Sequence, residues 1–501
     1  MADREVRRQG RPMSLRLYDS LTRRLRTLEP VESGRVGMYT CGPTVYDRAH
    51  IGNFRAFTWE DLLRRYLRFK GYEVEQVMNL TDVDDRTIAA AAARGIPLGE
   101  VTGPVIEMFL EDWRTLGLEE PEHRPRATGH VDGMIRLIES LSARGLTYES
   151  DGSVYFAISR FPGYGRLAGI DPQGLTSASR ATGDEEYDKD DPRDFVLWKG
   201  GDRGGDEKAV AVWDSPWGTG RPGWHLECSA MAMQYLGETL DIHAGGVDNL
   251  FPHHTNEIAQ SEGATGKTFA RLWLHAEHLL VEGRKMSKSL GNCFTIPELV
   301  ARGNAPSAIR YLLLSGHYRT QLNFTFDGLE ASEKAVTRLH EFRRRLSGAI
   351  EAGIDESADS SGLAERSRAA FGSAMDDDLN VSEALAAVFG LVREVNHLLD
   401  TSRPRAPGGA ETVLAAIADF DRVFGVLALR DLESADADEE LVAWATARVG
   451  ARERARADRD YALADAVRAE LEARGVAVED LADRTRLRLG ARTIVVPRPG
   501  L

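Results

Sequence analysis

The residues of this chain most able to do chemistry are its three cysteines, a pair of adjacent histidines and two lysines on a small flexible loop. Cys41 is followed by Gly42, Pro43 and Thr44, and Cys228 closes the run that begins Gly223-Trp224-His225. Further on stands Phe251-Pro252-His253-His254-Thr255-Asn256-Glu257. His253 and Glu257 are four residues apart and share one face if a helix opens there. Two thiolates, an imidazole and a carboxylate (Cys41, Cys228, His253, Glu257) form a donor set suited to zinc. Spacing alone leaves the matter open for Cys41 and Cys228, because the donors come from three distant segments, whereas Cys293 reads as a buried structural thiol. An odd, small cysteine number in a long chain argues against a disulfide scaffold.

A second constellation points to phosphate chemistry. His50-Ile51-Gly52-Asn53 is a Gly-containing turn, and Lys285-Met286-Ser287-Lys288-Ser289 is a loop carrying two mobile point charges. Lysines on such a loop suit the charge that develops on a departing polyphosphate. Taken singly, a histidine before a turn is as readily structural, and the lysine loop is as readily a solvated surface.

The elements that must position these groups are partly legible. Residues 35–40 read as a strand that feeds the Cys41 turn. A helix opens at His50 and runs to about Gly71, with Leu62, Leu63, Tyr66 and Leu67 spaced for one buried face. Residues 73–78 read as a second strand, followed by Thr81-Asp82-Val83-Asp84-Asp85. Strand, turn, helix and strand make a βαβ unit of a parallel sheet, whose ligands sit at the carboxyl ends of the strands. Residues 240–243 and 279–281 are strand-like, the first before Ala244-Gly245-Gly246 and the second before the lysine loop. Residues 96–180 read as helical and then irregular. Residues 174–206 are rich in Gly, Asp, Glu and Ser and read as an insertion, partly loop. From Glu330 to Leu429 the helical period dominates, with a break at 404–409, so a helix bundle is expected. Residues 431–440 read as an acidic linker before an Arg-rich piece.

With 501 residues, two to four domains are expected. No apolar run approaches the roughly 20 residues of a membrane span, and residues 1–13 are polar and Arg-rich without the apolar core of a secretory signal. A cytoplasmic protein with no membrane association is expected. The net charge of −15 argues against non-specific DNA binding, although local basic patches can still steer a nucleic acid.

Together, the His50 turn and the lysine loop resemble the two signatures of class I aminoacyl-tRNA synthetases. Cys41-Gly42-Pro43-Thr44-Val45-Tyr46-Asp47, Thr81 to Asp85, Trp224 to Cys228 and Phe251 to Glu257 are similar to the cysteinyl-tRNA synthetase family, over about residues 15–346 and more loosely beyond. The resemblance implies an α/β fold: a Rossmann-type parallel-sheet catalytic domain with an insertion, then an α-helical bundle and a small C-terminal domain. It implies activation of L-cysteine by ATP, with Mg2+, to cysteinyl-adenylate, and transfer of cysteine to tRNA(Cys). It assigns His50 to the α-phosphate, with Asn53 standing where the signature ends in histidine, and Lys285 and Lys288 to the departing pyrophosphate. Gly52, Gly245, Gly246 and Asp248 join His50 and Lys288 around ATP. Gly42, Thr81 and Trp224 line the cysteine pocket. One zinc ion on Cys41, Cys228, His253 and Glu257 separates thiol from hydroxyl, because a thiolate is a far better zinc ligand than an alcohol. Thr255 departs from the family's usual glutamate at a position that is not a ligand.

The expected domains are a lead-in (1–14), the first catalytic half (15–115), a connective insertion (116–222), the second half with the lysine loop (223–295), a stem-contact region (296–346), the bundle (347–430) and a small tRNA-binding domain and tail (431–501). A monomer is expected. Basic clusters at Lys334, Arg338 and 343–345, and at 448–459, suit an RNA backbone or a solvated helix face equally. All ATP and cysteine motifs precede residue 291, so a chain ending near Ser347 is expected to keep cysteine activation if it stays folded, and to lose most of its charging of tRNA. The competing reading is a cysteine ligase of mycothiol synthesis. That family shares the zinc site but stops shortly after the lysine-loop domain, whereas this chain continues from 347 to 501.

Overall fold

The computed structural model of the protein describes residues 14–170, 191, 193–200, 211–287, 290–351, 358–401, 409–457, 460–480, 484–489 and 492–497. A short hairpin, β1 (Arg16–Asp19) and β2 (Arg24–Thr27), precedes β3 (Arg35–Thr40). The chain then turns through Cys41 into α1 (Ile51–Phe69) and returns as β4 (Glu73–Met78), which lies parallel to β3 with Arg35 opposite Glu73. The βαβ unit expected from periodicity is therefore present with those strand limits. The helices α2 (Asp85–Arg94), α3 (Leu98–Thr115) and α4 (Val131–Ala143) follow.

An antiparallel sheet comes next: β5 (Thr147–Ser150), β6 (Ser153–Phe156), β7 (Phe195–Gly200) and β8 (Gly220–Pro222) in that order. This part reads differently from the sequence expectation. The stretch taken as irregular holds two of these strands, and β7 lies within residues 174–206. Of the acidic run 184–191, only Asp191 falls within the described residues. Then come α5 (Trp224–Leu236), β9 (Leu240–Gly246), α6 (Thr255–Thr265) and β10 (Ala270–Ala276). The central sheet has the order β10-β9-β3-β4, all parallel. Cys41, Thr81, Gly245 and Gly246 all fall at or just past the carboxyl ends of its strands, where an open parallel sheet places its ligands.

The remainder of the first compact unit, which ends at Leu427, is mainly helical. It comprises β11 (Leu279–Val281), β12 (Arg284–Lys285), α7 (Ile296–Ala301), α8 (Pro306–Leu314), β13 (Leu322–Phe324), α9 (Phe326–Glu351), α10 (Ala358–Asp376), α11 (Val381–Thr401) and α12 (Gly409–Phe424). The bundle α9–α12 does not stand apart from the sheet domain. One continuous apolar core joins Val36, Met38, Leu63, Tyr66 and Ile242 to Phe342, Phe371, Val388 and Phe420. Polar ties reinforce it. Asp376 accepts from Tyr66 Oη (2.8 Å) and Lys70 Nζ (2.9 Å). Asp378 accepts from the Tyr18 backbone (2.8 Å), Tyr318 Oη (2.6 Å) and Arg319 Nε (2.7 Å). This bears on the condition attached to a chain cut near Ser347, that it stay folded. Such a cut would bare the apolar face that α10–α12 cover and remove Asp376, to which Tyr66 and Lys70 donate.

The second unit, Ala428–Leu501, holds nearly all of α13 (Val426–Ala457), then α14 (Tyr461–Ala473) and an antiparallel sheet of β14 (Val476–Asp480), β15 (Arg484–Leu489) and β16 (Arg492–Pro497). Its small core gathers Ala445, Val449, Val467, Leu471, Val476 and Leu487. Residues 431–440, expected to be a linker, lie inside α13, where Asp431, Glu439 and Glu440 are exposed. No helix among the described residues is long and apolar enough to cross a membrane.

Candidate functional site

Cys41 lies one residue past β3 and is held by its own N–H on Ala244 O at the end of β9 (3.1 Å). Cys228 sits in the second turn of α5, His253 in a wide turn that leads into α6, and Glu257 in the first turn of α6. Four ligand atoms, one from each of these buried residues, lie within 4.8 Å of one another. Glu257 Oε1 is 3.1 Å from His253 Nε2, yet it has no hydrogen-bond partner. A buried carboxylate oxygen without a hydrogen-bond partner, set among two thiols and an imidazole, makes a donor set that fits a bound cation.

A second combination, Cys41, His243, His254 and Glu257, is equally compact. The donor chemistry favours the first. His243 Nε2 bonds Glu257 Oε2 (2.8 Å), which leaves Glu257 Oε1 for a metal. His225 Nδ1 meets His253 Nδ1 (2.9 Å), which turns the other nitrogen of His253 into the cluster. His254 Nε2 touches Cys41 Sγ (3.2 Å), while its Nδ1 bonds His275 Nε2 (2.8 Å), whose Nδ1 reaches Ser20 Oγ (2.8 Å). These four histidines orient the donors from outside, as supporting partners of metal ligands do. Sequence reasoning noted His254 beside His253 but gave none of the four a role around a metal. Only the folding of β9, β10 and α5 around α6 brings them together, and no local spacing signals it.

The electrostatics are those of a site that holds protons where a cation would displace them. The Cys228 thiol is drawn well below its ordinary value, first by its hydrogen bond with Cys41 and then by His253, against the cost of burial. Burial lowers His253, but Glu257 and Cys228 outweigh that and raise it to about 9. Burial, and then the Cys228 neighbour, holds the Cys41 thiol well above its usual range. One thiolate is therefore favoured by the protein alone, and a divalent cation would favour the second.

His50 is the N-cap of α1. Its Nδ1 accepts from Asn53 N (3.2 Å), and Asn53 Oδ1 accepts from His50 N (3.0 Å). This reciprocal cap fixes the ring at the positive end of a long helix, a ready site for anionic groups. The Asn53 side chain is committed to that cap. A Cβ on Gly52 would lie 2.3 Å from Met286 Cε, so the missing side chain is what lets the lysine loop rest on the helix start. Asn292 shapes that loop: its Oδ1 accepts from Ser287 N (2.9 Å) and its Nδ2 donates to Lys285 O (3.2 Å). Lys285 is exposed; Lys288 lies outside the described residues. Cys293, expected to be a buried thiol, is half-buried beside this loop.

Trp224 is half-buried and stacks on His253 with ring centroids 4.7 Å apart. Thr81 is tied to the Cys41 turn, for Thr81 N donates to Pro43 O and Val45 N donates to Thr81 O, both at 3.1 Å. Gly42 lies between these groups. Gly245 and Gly246 close β9, and Asp248 follows, exposed. Of the basic clusters, Lys334 pairs with Glu330, Arg345 with Asp400 and Arg448 with Glu470, while Arg338 lies over Phe389. Lys334, Arg345 and Arg448 are thus paired within the protein, on exposed side chains.

Comparison with known proteins places this geometry. The family model for the tRNA synthetases class I (C) catalytic domain matches residues 27–334, and the DALR domain model matches 370–428. The parallel-sheet domain is therefore that of a class I aminoacyl-tRNA synthetase. Among solved structures, a Mycobacterium tuberculosis methionyl-tRNA synthetase is similar in fold, with a TM-score of 0.56 at 16% identity over 79% of this chain and 90% of that one. An Agrobacterium radiobacter LeuRS in a tRNA complex also has a TM-score of 0.56, at 12% identity, covering 80% and 84%. The cysteine–tRNA ligase of Solibacter usitatus is 50% identical over 93% of this chain and 98% of its own length. That of Protochlamydia amoebophila is 46% identical over 95% and 98%. The chain belongs to the cysteine–tRNA ligase family. The mycothiol alternative finds no support among these relatives.

Proposed function

We infer that this protein activates L-cysteine with ATP and transfers it to tRNA(Cys). The observation that carries the reading is the buried Cys41, Cys228, His253 and Glu257 cluster at the carboxyl edge of a parallel sheet whose next helix opens on His50. In the activation step, a cysteine carboxylate oxygen bonds to the α-phosphorus of ATP, and the bond from that phosphorus to pyrophosphate breaks. No covalent enzyme intermediate is needed, so positioning and charge stabilisation do the work. His50, at the N-terminus of α1, meets the α-phosphate; Gly52, Gly245, Gly246 and Asp248 hold the nucleotide. Lys285 and Lys288 meet the charge on the leaving pyrophosphate, with Mg2+ accompanying ATP. Gly42, Thr81 and Trp224 hold the amino acid. One zinc per chain on the four ligands supplies a centre that binds a thiol in preference to a hydroxyl. An apolar pocket alone separates near-isosteres by only about 1–3 kcal/mol. On this reading the protein is a cytoplasmic monomer, and the domain limits are those drawn above, with the bundle and the C-terminal unit as its tRNA-reading parts. Pyrophosphate exchange with each amino acid tests the reading. Exchange should depend on cysteine and not on serine, and equal exchange with both would reject it.

The tRNA assignment has its own test. A chain ending at Leu427 keeps the shared core intact and removes only the second unit. It should retain cysteine-dependent exchange within about twofold and lose charging efficiency, with a shallower salt dependence of tRNA binding. Undiminished charging would show that residues 428–501 do not read tRNA.

A further inference from the structure

Two walls of the cysteine pocket come from separate stretches of chain. Thr81 follows β4, and Trp224 opens α5 just after β8. Gly223 fixes where Trp224 starts. Its N–H donates to Leu197 O on β7 (2.8 Å), and a Cβ there would lie 2.3 Å from Val196 O. The β7–β8 pair thus sets the place of Trp224. On the other wall, the segment Thr81 to Asp85 carries three carboxylates with different partners. Asp82 accepts from Thr128 N (2.9 Å) and Thr128 Oγ1 (2.7 Å). Asp84 caps α2 through Thr87 N (2.7 Å). Asp85 reaches across to the antiparallel sheet: its Oδ2 accepts from Lys199 Nζ (2.6 Å) and its Oδ1 from Arg221 Nη2. Lys199 and Arg221 are direct partners across β7 and β8. Like charges so placed push an antiparallel pair apart. Their side chains are only 11% and 21% exposed, where salt screens weakly. Asp85 gives each cation one oxygen. Burial raises its carboxyl, but Lys199 and Arg221 outweigh that and hold it below its ordinary value, so it stays ionised.

We propose that Asp85 is a positioning residue: by pairing with Lys199 and Arg221 it holds the strand that leads into Trp224 against the segment that carries Thr81, and so sets the width of the cysteine pocket. This rests on the pocket assignment made above, which gives Thr81 and Trp224 to the amino acid. Without the carboxylate, the two cations face each other unopposed at the β7–β8 edge. Arg221 stands three residues before Trp224, so a shift of β8 passes directly to the aromatic wall.

The test reads cysteine-dependent pyrophosphate exchange on zinc-loaded, full-length protein. Asp85→Ala should raise the KM for cysteine about tenfold or more, since a misplacement of about 1 Å can cost about a hundredfold. The KM for ATP and the zinc content should be unchanged. Lys199→Met alone should change little, because Asp85 still holds Arg221. The double variant Asp85→Ala with Lys199→Met removes one of the opposed cations and should recover most of the loss. If Asp85→Ala does not fold, Asp85→Asn, which keeps the shape and loses the charge, carries the same test. A fall in melting temperature with an unchanged KM for cysteine, loss of zinc, or a double variant no better than Asp85→Ala overturns the proposal. If Trp224→Ala leaves the KM for cysteine unchanged, the pocket assignment itself fails, whatever Asp85 does, and takes this proposal with it.

Discussion

Replacing Cys228 by serine should remove the zinc and cysteine activation together. Loss of an outer partner of a metal ligand typically costs 10–100-fold in affinity, so loss of a ligand should exceed about a hundredfold. Zinc per chain should fall from about one to near none, and cysteine-dependent exchange should fall with it. His243→Ala breaks the 2.8 Å bond that holds Glu257 Oε2. It should weaken zinc by the smaller outer-partner factor, read by chelator competition. Cys293→Ser should change neither quantity, because Cys293 lies beside the lysine loop and outside the cluster. Full zinc and full exchange in Cys228→Ser would mean that the metal, if any, is held elsewhere.

A cluster of Cys41, Cys228, His253 and Glu257 was legible in the sequence from donor chemistry together with the family resemblance, since spacing alone does not choose His253 over His254. The four histidines around them were not. His225, His243, His254 and His275 belong to α5, β9, the turn before α6, and β10, and their meeting depends on pairings between elements far apart in the chain. The same cause hid the β5–β8 sheet. Its strands are three to six residues long, and an acid-rich stretch of chain separates β6 from β7. Short apolar runs carry no periodicity that separates strand from buried helix; β10, buried along nearly its whole length, was missed for that reason. The βαβ unit succeeded because the pairing of β3 with β4 is nearly local and α1 has a long amphipathic period. Residues 431–440 misled in the opposite direction. Charge density was taken for a linker, but a helix outside a core carries charge on most of its surface.

The close approach at Gly42 sets up the other large effect. A Cβ there would stand 1.7 Å from the Asn79 carbonyl oxygen and 2.9 Å from its carbon. Backbone cannot step aside as a side-chain tip can. At Gly52 the obstacle is the end of Met286, so Gly52→Ala should shift the lysine loop and spare the fold. At Gly42 the two strand ends themselves must part. One carries Cys41 and the other Thr81, and the side-chain amide of Asn79, whose backbone carbonyl is the obstruction, joins them. Overpacking of this kind commonly costs about 1–3 kcal/mol, and here the displacement falls on a metal ligand. Gly42→Ala should therefore lower the melting temperature, reduce bound zinc and abolish cysteine-dependent exchange. Gly99, in the first turn of α3 with nothing within 4 Å of its would-be Cβ, is the control. Gly99→Ala should be neutral or stabilising by up to about 1 kcal/mol, with zinc and exchange intact. If Gly42→Ala retains zinc, activity and melting temperature like the Gly99 control, the contact between the β3 and β4 strand ends is not what holds Cys41 in the cluster.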